Sequence, residues 1–343
     1  MGFVKYWAGR SGIAATVIAI ALAGACSKTP TAPTPPPPPP PPPPPVANPP
    51  SLACVEGVSR ATINAAGLAV NFDTPPVTDG QGSVSVTCSP SSGETFPIGT
   101  TAVTCTATDT LNRTATCSFT VSVSKLATLS RTRFLAFGDS ITAGEVTFPI
   151  GGSLIGGQRV TRQVVVPAAA YPTVLLRTLQ GRYASQADVI SVPNHGVGGE
   201  KAINARNRFF SALTAVRPEV VLLMQGYNDI QGGLDGAASG AASEMRIMVG
   251  EARLRGMRVL LATLAPPRPS GNRAIPQLLI DDYNNRMRDL AAREGAVLVD
   301  VYAGLLPDVN RYIGVDGLHP TEIGYAKIAD IFFQAIQNTF EVR

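Results

Sequence analysis

From about residue 132 onward the chain alternates short apolar runs with longer stretches of helical period. The runs are Arg133-Phe-Leu-Ala-Phe137, Val189–Val192, Val220–Met224, Val259–Leu264 and Ala296–Val301. Tyr171, Val174, Leu175 and Leu179 repeat at helical spacing, and further helical stretches lie near 200–215, 238–255, 276–294 and 321–338. Strands that are apolar throughout, separated by helices, predict βαβ units around a parallel sheet buried on both faces. The expected fold class is therefore α/β, a three-layer flavodoxin-like sandwich with a five-stranded parallel sheet. Residues 51–125 follow another period. Gly82-Ser-Val-Ser-Val-Thr-Cys88, Ala102-Val-Thr-Cys-Thr-Ala107 and Thr116-Cys-Ser-Phe-Thr-Val-Ser-Val123 alternate every second residue. Turn residues separate them at Pro90-Ser-Ser-Gly93, Pro97-Ile-Gly99 and Asp109-Thr-Leu-Asn112. This predicts a small β-sandwich.

Ahead of both domains the pattern changes twice. Lys5 and Arg10 precede a largely apolar stretch, Ile13 to Ala25, and the small residues Ala23-Gly24-Ala25 lead into Cys26. The stretch has the length of a signal-peptide core and is short for a membrane span, which needs about 20 residues. Two readings stand for residues 1–26: cleavage after the small residues, or a bacterial lipoprotein signal. Leu22-Ala-Gly-Ala-Cys26 resembles a lipobox, departing at Ala23, where Leu is usual. Residues 27–50 form a Pro-rich linker with an unbroken run from Pro35 to Pro45. At about 3.1 Å per residue in polyproline II, that run is a stiff spacer of roughly 35 Å. The expected organisation is signal and lipobox at 1–26, linker at 27–50, β-sandwich at 51–125 and α/β domain at 132–343.

Cysteine count bears on the choice. The five cysteines are Cys26, Cys54, Cys88, Cys105 and Cys117, and an odd number in an exported chain leaves one thiol over. Lipidation of Cys26 leaves four within residues 54–117, where a domain with a thin core gains from disulfides. The favoured localisation is export with a lipid anchor at the bacterial cell surface or outer membrane, and otherwise secretion. Ser27 lacks the acidic character associated with inner-membrane retention. Of the 343 residues, 45% are hydrophobic and 15% charged, and the net charge of +4 is thinly spread, so no nucleic-acid partner is expected.

In open parallel sheets ligands bind beyond the carboxyl ends of the strands, so reactive residues are sought there. After the first strand comes Phe137-Gly-Asp-Ser140-Ile-Thr142, with Ser140 on the strand-to-helix turn. A serine at such a place commonly does no more than cap a helix. A nucleophile also needs a base, and the chain has only two histidines, His195 and His319. In Asp316-Gly-Leu-His319-Pro320, an acid three residues before His319 can meet its Nδ1 and leave Nε2 for the serine proton. Acyl transfer further needs donors for an oxyanion. Asn194-His-Gly-Val-Gly-Gly199 follows the second strand and Gly226-Tyr-Asn228-Asp229 the third. Each is ordinary turn chemistry alone; the force lies in four such segments at the ends of strands one, two and three and before the final helix. No G-x-S-x-G elbow is present, which argues against an ordinary α/β-hydrolase; with no H-E-x-x-H, and no Walker or Rossmann pattern after the first strand, no metal or other cofactor is expected.

Those four segments, in that order over about 132–340, resemble the SGNH/GDSL family of serine esterases and lipases, with Ile141 in place of the eponymous Leu. The resemblance implies an SGNH hydrolase fold and a carboxylic ester hydrolase. It implies catalytic Ser140, Asp316 and His319, and an oxyanion hole of the Ser140 and Gly199 N–H groups with the Asn228 side chain. Gly198 is the alternative to Gly199. Asp139 and Asp229 are expected to brace turns, and His195 to be structural. The substrate is then a small-molecule, polysaccharide or lipid ester. The β segment, from Val86-Thr-Cys88 through Gly93-Glu-Thr-Phe-Pro-Ile-Gly99 to Thr116-Cys-Ser-Phe-Thr-Val-Ser-Val123, resembles the hyalin repeat (HYR), an immunoglobulin-like module. It departs at Leu111-Asn112-Arg113, where that module has a Gly-Asn turn. Four cysteines allow three pairings; Cys54–Cys117 with Cys88–Cys105 is preferred. The competing function is a surface binding or adhesion protein whose HYR-like domain does the work beside an inactive hydrolase domain. Finally, Glu145 to Ala170 shows no helical pattern and follows the nucleophile directly, so it reads as a long loop bordering the site.

Overall fold

The computed structural model describes residues 39–42, 45, 47–155 and 158–342. The export signal at 1–26, Cys26 and most of the 27–50 linker lie outside the described residues. Residues 39–42, 45 and 47–50 carry no regular secondary structure. Among the described residues no helix is long and apolar enough to cross a membrane.

The N-terminal domain is built on a four-stranded sheet of β1 (Val58–Thr62), β2 (Ser85–Ser89), β3 (Gly99–Thr108) and β4 (Thr114–Lys125), in the order β1-β4-β3-β2. The period-two alternation puts Val103, Cys105, Phe119, Val121 and Val123 on one face, where they bury a core with Val70 and Phe96. Disulfides join Cys54 to Cys117 and Cys88 to Cys105. Cys88 and Cys105 stand directly opposite on the paired strands β2 and β3.

The second domain holds a five-stranded, wholly parallel sheet: β5 (Phe134–Gly138), β8 (Asn194–Gly196), β9 (Val220–Met224), β10 (Arg258–Ala262) and β11 (Val297–Val299), in the order β8-β5-β9-β10-β11. All residues of β5 and β9 are buried, as expected for strands covered on both faces. Helices α2 (Tyr171–Arg182) and α7 (Glu322–Phe340) pack together, and α3 (Ala202–Val216), α5 (Ala237–Leu254) and α6 (Gln277–Glu294) form the other layer. Two single turns, α1 (Ser140–Ala143) and α4 (Tyr227–Ile230), follow β5 and β9.

Two expectations need correction. The strand expected at Val189–Val192 lies instead at Asn194–Gly196. The earlier residues do run beside β5, with Phe134 N–H donating to Ser191 and Ala136 N–H to Pro193. Pro193 has no N–H to return, so the regular ladder begins only after it. Likewise, Glu145–Val165 is not a loop: β6 (Glu145–Ile155) and β7 (Gln158–Val165) pair as an antiparallel hairpin with an irregularity between Pro149 and Leu154. Two further boundaries shorten: β10 ends at Ala262, and β11 ends at Val299 because Asp300 caps a new helical turn, its carboxylate accepting the Ala303 N–H.

Close packing ties α1 to the sheet. A Cβ on Gly138 would lie 2.0 Å from the Met224 carbonyl, and one on Gly196 would lie 2.1 Å from the Ala143 nitrogen. Only glycine lets the backbones approach so closely, and the turn carrying Ser140 is thereby pressed against β8 and β9.

Candidate active site

Ser140 opens α1, where Asp139 is the N-cap and its Oδ1 accepts the Ile141 N–H at 3.1 Å. Its hydroxyl meets His319 Nε2 at 3.0 Å, and His319 Nδ1 meets Asp316 Oδ2 at 2.6 Å. The three residues are 4%, 0% and 0% exposed for Ser140, His319 and Asp316 respectively, so the chain of hydrogen bonds runs almost out of water. Low local dielectric strengthens such bonds and makes any unpaired member costly.

The Asp316 carboxylate is fully engaged. Oδ1 accepts the Leu318 and His319 N–H groups, each at 3.1 Å, and Oδ2 accepts the Thr147 hydroxyl at 2.8 Å in addition to His319. Burial raises the carboxyl's pKa, but the hydrogen bond and charge of His319, with the Leu318 and Thr147 donors, outweigh it and hold the group below its ordinary range. From the loop after β10, the Arg273 N–H donates to the Asp316 carbonyl at 2.7 Å and the Arg268 N–H to that of Gly317 at 3.0 Å. The segment 316–319 is thus fixed from two sides before α7 begins at its N-cap Thr321.

Gly199 and Asn228 lie in the turns after β8 and β9. The Asn228 side chain uses one of its N–H groups on the Glu200 carbonyl at 3.1 Å, and Gln225 Nε2 donates to the same oxygen. Asn228 is thereby tied to the residue next to Gly199. Arg208 on α3 gathers the same region, donating to the carbonyls of His195 (2.8 Å) and Gly138 (3.3 Å), pairing with the Glu200 carboxylate and lying over the Phe137 ring at 4.0 Å. His195 is half-buried, and burial with the Arg208 charge lowers its pKa. Asp229 accepts the Ala202 N–H at the start of α3, and burial raises its pKa against that bond. The structure brings Ser140, His319 and Asp316 into one hydrogen-bonded chain and puts Gly199 and Asn228 in the adjoining turns; His195, Asp139 and Asp229 serve backbone or turn contacts.

The hairpin supplies residues the motifs do not reveal. Besides Thr147, Gln163 Nε2 lies 3.1 Å from His319 Nε2 and 3.3 Å from its Nδ1, and donates to Glu145 Oε2 at 2.8 Å. Glu145 Oε2 is itself 3.6 Å from His319 Nε2. The only available sequence signal was the position of this segment directly after the Ser140 turn. Among the described residues no group of three His, Cys, Asp or Glu side chains could hold a metal ion.

A second buried acid lies beside Ser140. Asp139 has no exposure, and its Oδ2 finds no hydrogen-bond partner among the described residues. Burial, helped by the nearby Asp229 charge, pushes its pKa up to about 7 against the opposing pull of the Ile141, Tyr227 and Gly226 N–H groups.

The model of the GDSL-like lipase/acylhydrolase family matches residues 136–327, and that of the HYR domain matches residues 47–123. The chain belongs to the GDSL-like lipase/acylhydrolase family, and its second domain is that of a carboxylic ester hydrolase. No curated protein matches it. Solved structures that resemble it include a lipase/acylhydrolase from Enterococcus faecalis, 21% identical, covering 61% of this chain and 97% of that one at a TM-score of 0.49. A carbohydrate acetylesterase from Sinorhizobium meliloti is 16% identical, covering 61% of this chain and 100% of that one at a TM-score of 0.49. The aryl esterase of M. smegmatis is 19% identical, covering 60% and 99% at a TM-score of 0.49.

The Asp139 environment gives a pH prediction. The folded chain keeps this carboxyl protonated up to about pH 7, whereas the unfolded chain releases the proton near the ordinary value of about 3.9. The stability it contributes is present below about pH 4 and is lost as pH rises through about 7. Asp139→Asn removes that dependence. Urea unfolding at about pH 4 and about pH 8 should show the variant gaining on the wild type at the higher pH; a difference independent of pH would contradict this account of Asp139.

Proposed function

We propose that the protein is an exported serine esterase in which Ser140, His319 and Asp316 form a catalytic triad. The observation that carries this reading is the unbroken chain from Asp316 through His319 to the Ser140 hydroxyl. His319 Nε2 takes the Ser140 proton as Oγ attacks the ester carbonyl. Asp316 accepts the Nδ1–H, which fixes the ring, and stabilises the imidazolium that forms. The carbonyl oxygen becomes an oxyanion, received by the Ser140 and Gly199 N–H groups and the second N–H of Asn228. His319 then passes its proton to the leaving alcohol, and the C–O bond breaks to give an acyl-Ser140 ester. Water, deprotonated by the same His319, attacks that ester and releases the acid, restoring Ser140.

The substrates are small-molecule or polysaccharide esters, as family membership implies. Residues 1–26 direct export, Cys26 takes a lipid anchor, and the Pro35–Pro45 run holds the folded part away from the membrane. The two disulfides suit an oxidising compartment.

The purified full chain should hydrolyse at least one of p-nitrophenyl acetate, butyrate and palmitate, and Ser140→Ala should lower kcat by about a thousandfold or more. Turnover that survives in Ser140→Ala would overturn the assignment of the nucleophile. In a bacterial host, metabolic labelling with palmitate should mark the chain and not its Cys26→Ser variant; equal labelling of both would dismiss the anchor.

A further inference from the structure

We propose that Glu145, Gln163 and Arg273 form a leaving-group subsite that selects esters of neutral polyhydroxy alcohols, an inference resting on the esterase reading above. In such a reaction His319 Nε2 hands its proton to the leaving oxygen, so whatever borders Nε2 borders the alcohol. Among the described residues, two polar side chains besides Ser140 do so, and both come from the hairpin. Glu145 Oε2 lies 3.6 Å from Nε2 and Gln163 Nε2 lies 3.1 Å from it.

The position of Gln163 is informative. Its nitrogen is nearly equidistant from the two ring nitrogens, at 3.1 and 3.3 Å. An atom in the ring plane at those distances would collide with the carbon between them, so Gln163 lies over the face of the imidazole. The in-plane direction of Nε2 is left to Ser140 and to the leaving oxygen. The amide is held there at both ends. Its nitrogen donates to Glu145 Oε2 at 2.8 Å, and its oxygen accepts from Arg273 Nη1. Glu145 fills the space over Gly198, whose absent Cβ would lie 2.0 Å from Glu145 Oε1. The subsite thus spans from the second-strand turn to the loop after β10.

Its chemistry is specific. His319 is fully buried, while the Glu145 side chain is 18% exposed and Gln163 is exposed, so an arriving alcohol meets these two before the imidazole. A carboxylate offers acceptors only, whereas a guanidinium offers donors only. Set either side of an amide that does both, they match vicinal hydroxyls, each of which donates and accepts. An alkyl or aryl alcohol would desolvate Glu145 without replacing its hydrogen bonds, which is costly. A phosphate-bearing alcohol would meet the Glu145 charge close to Nε2.

The test compares acetates that share an acyl group and differ only in the alcohol. For the full chain, kcat/KM on glycerol 1-monoacetate should exceed that on n-propyl acetate by more than about tenfold, since a site built for hydroxyls rejects the analogue lacking them. Glu145→Gln keeps the size but removes the charge, and Gln163→Met keeps the length but removes the amide. Each should bring the ratio down by about tenfold. A wild-type ratio near one, or a ratio that neither variant changes, would overturn the subsite. Acetylcholine turned over faster than the monoacetate would overturn the neutral-polyol assignment in favour of a cationic alcohol. Failure to hydrolyse any acetate, with Ser140 also unreactive toward an organophosphonate, would instead remove the esterase reading beneath it. A folded variant that loses all acetates in proportion would show a structural role and contradict the proposal.

Discussion

A carboxylate withdrawn from water must find a partner for every oxygen, and around Asp316 that requirement organises the domain. Its two oxygens take four hydrogen bonds: two from its own turn, one from the imidazole and one from the Thr147 hydroxyl. Each partner belongs to a different structural task. The turn N–H groups fix the backbone from Asp316 to His319, His319 Nδ1 sets the ring so that Nε2 points at Ser140, and Thr147 ties the hairpin to the sheet domain. Losing one of these would leave its oxygen with a single donor, and the buried charge less well compensated. The site is therefore held by mutual necessity, with the acid, the base and the covering hairpin each completing the others.

How far this could be read in advance follows from the range of each interaction. The parallel sheet was legible because strands buried on both faces are apolar at every position, as in Phe134–Gly138 and Val220–Met224. Asp316 and His319 were legible as partners because a three-residue spacing within one turn makes their contact local. Where the pattern misled, a single residue explains it. Val189–Val192 is apolar and runs beside β5, yet Pro193 withholds its N–H and the regular strand starts at Asn194. The hairpin hid its strands because Pro149, Gly151 and Gly152 interrupt the alternation on which a strand reading depends. Thr147, Gln163 and Glu145 were invisible as site residues for another reason. Thr147 reaches an acid 169 residues away and Gln163 an imidazole 156 residues away. Nothing in the local pattern of a lone sequence marks such partners, nor does it mark Arg208, which gathers the Gly138 and His195 carbonyls from 70 and 13 residues away.

The two buried acids of the domain show how environment divides one chemistry. Asp316, with its four donors, is held as the anion below its ordinary range, whereas Asp139, with one oxygen unpartnered, is pushed up to about 7. One is held charged beside the His319 ring, and the other holds its proton far above the ordinary carboxylate range next to Ser140. The HYR domain stands apart from this chemistry. Its thin core, centred on Val103, Phe119 and Val121, is reinforced by two disulfides.

The proposed acylation of Ser140 through His319 can be tested on the covalent species itself. The full chain would be mixed rapidly with p-nitrophenyl acetate, quenched in acid, digested and mapped by mass spectrometry. One acetyl group is expected on the peptide carrying Ser140, formed at the rate of the p-nitrophenol burst and absent in His319→Ala. An acetyl group on any other residue, or steady turnover in which acid quenching never captures acylated Ser140 although the burst is seen, would contradict it.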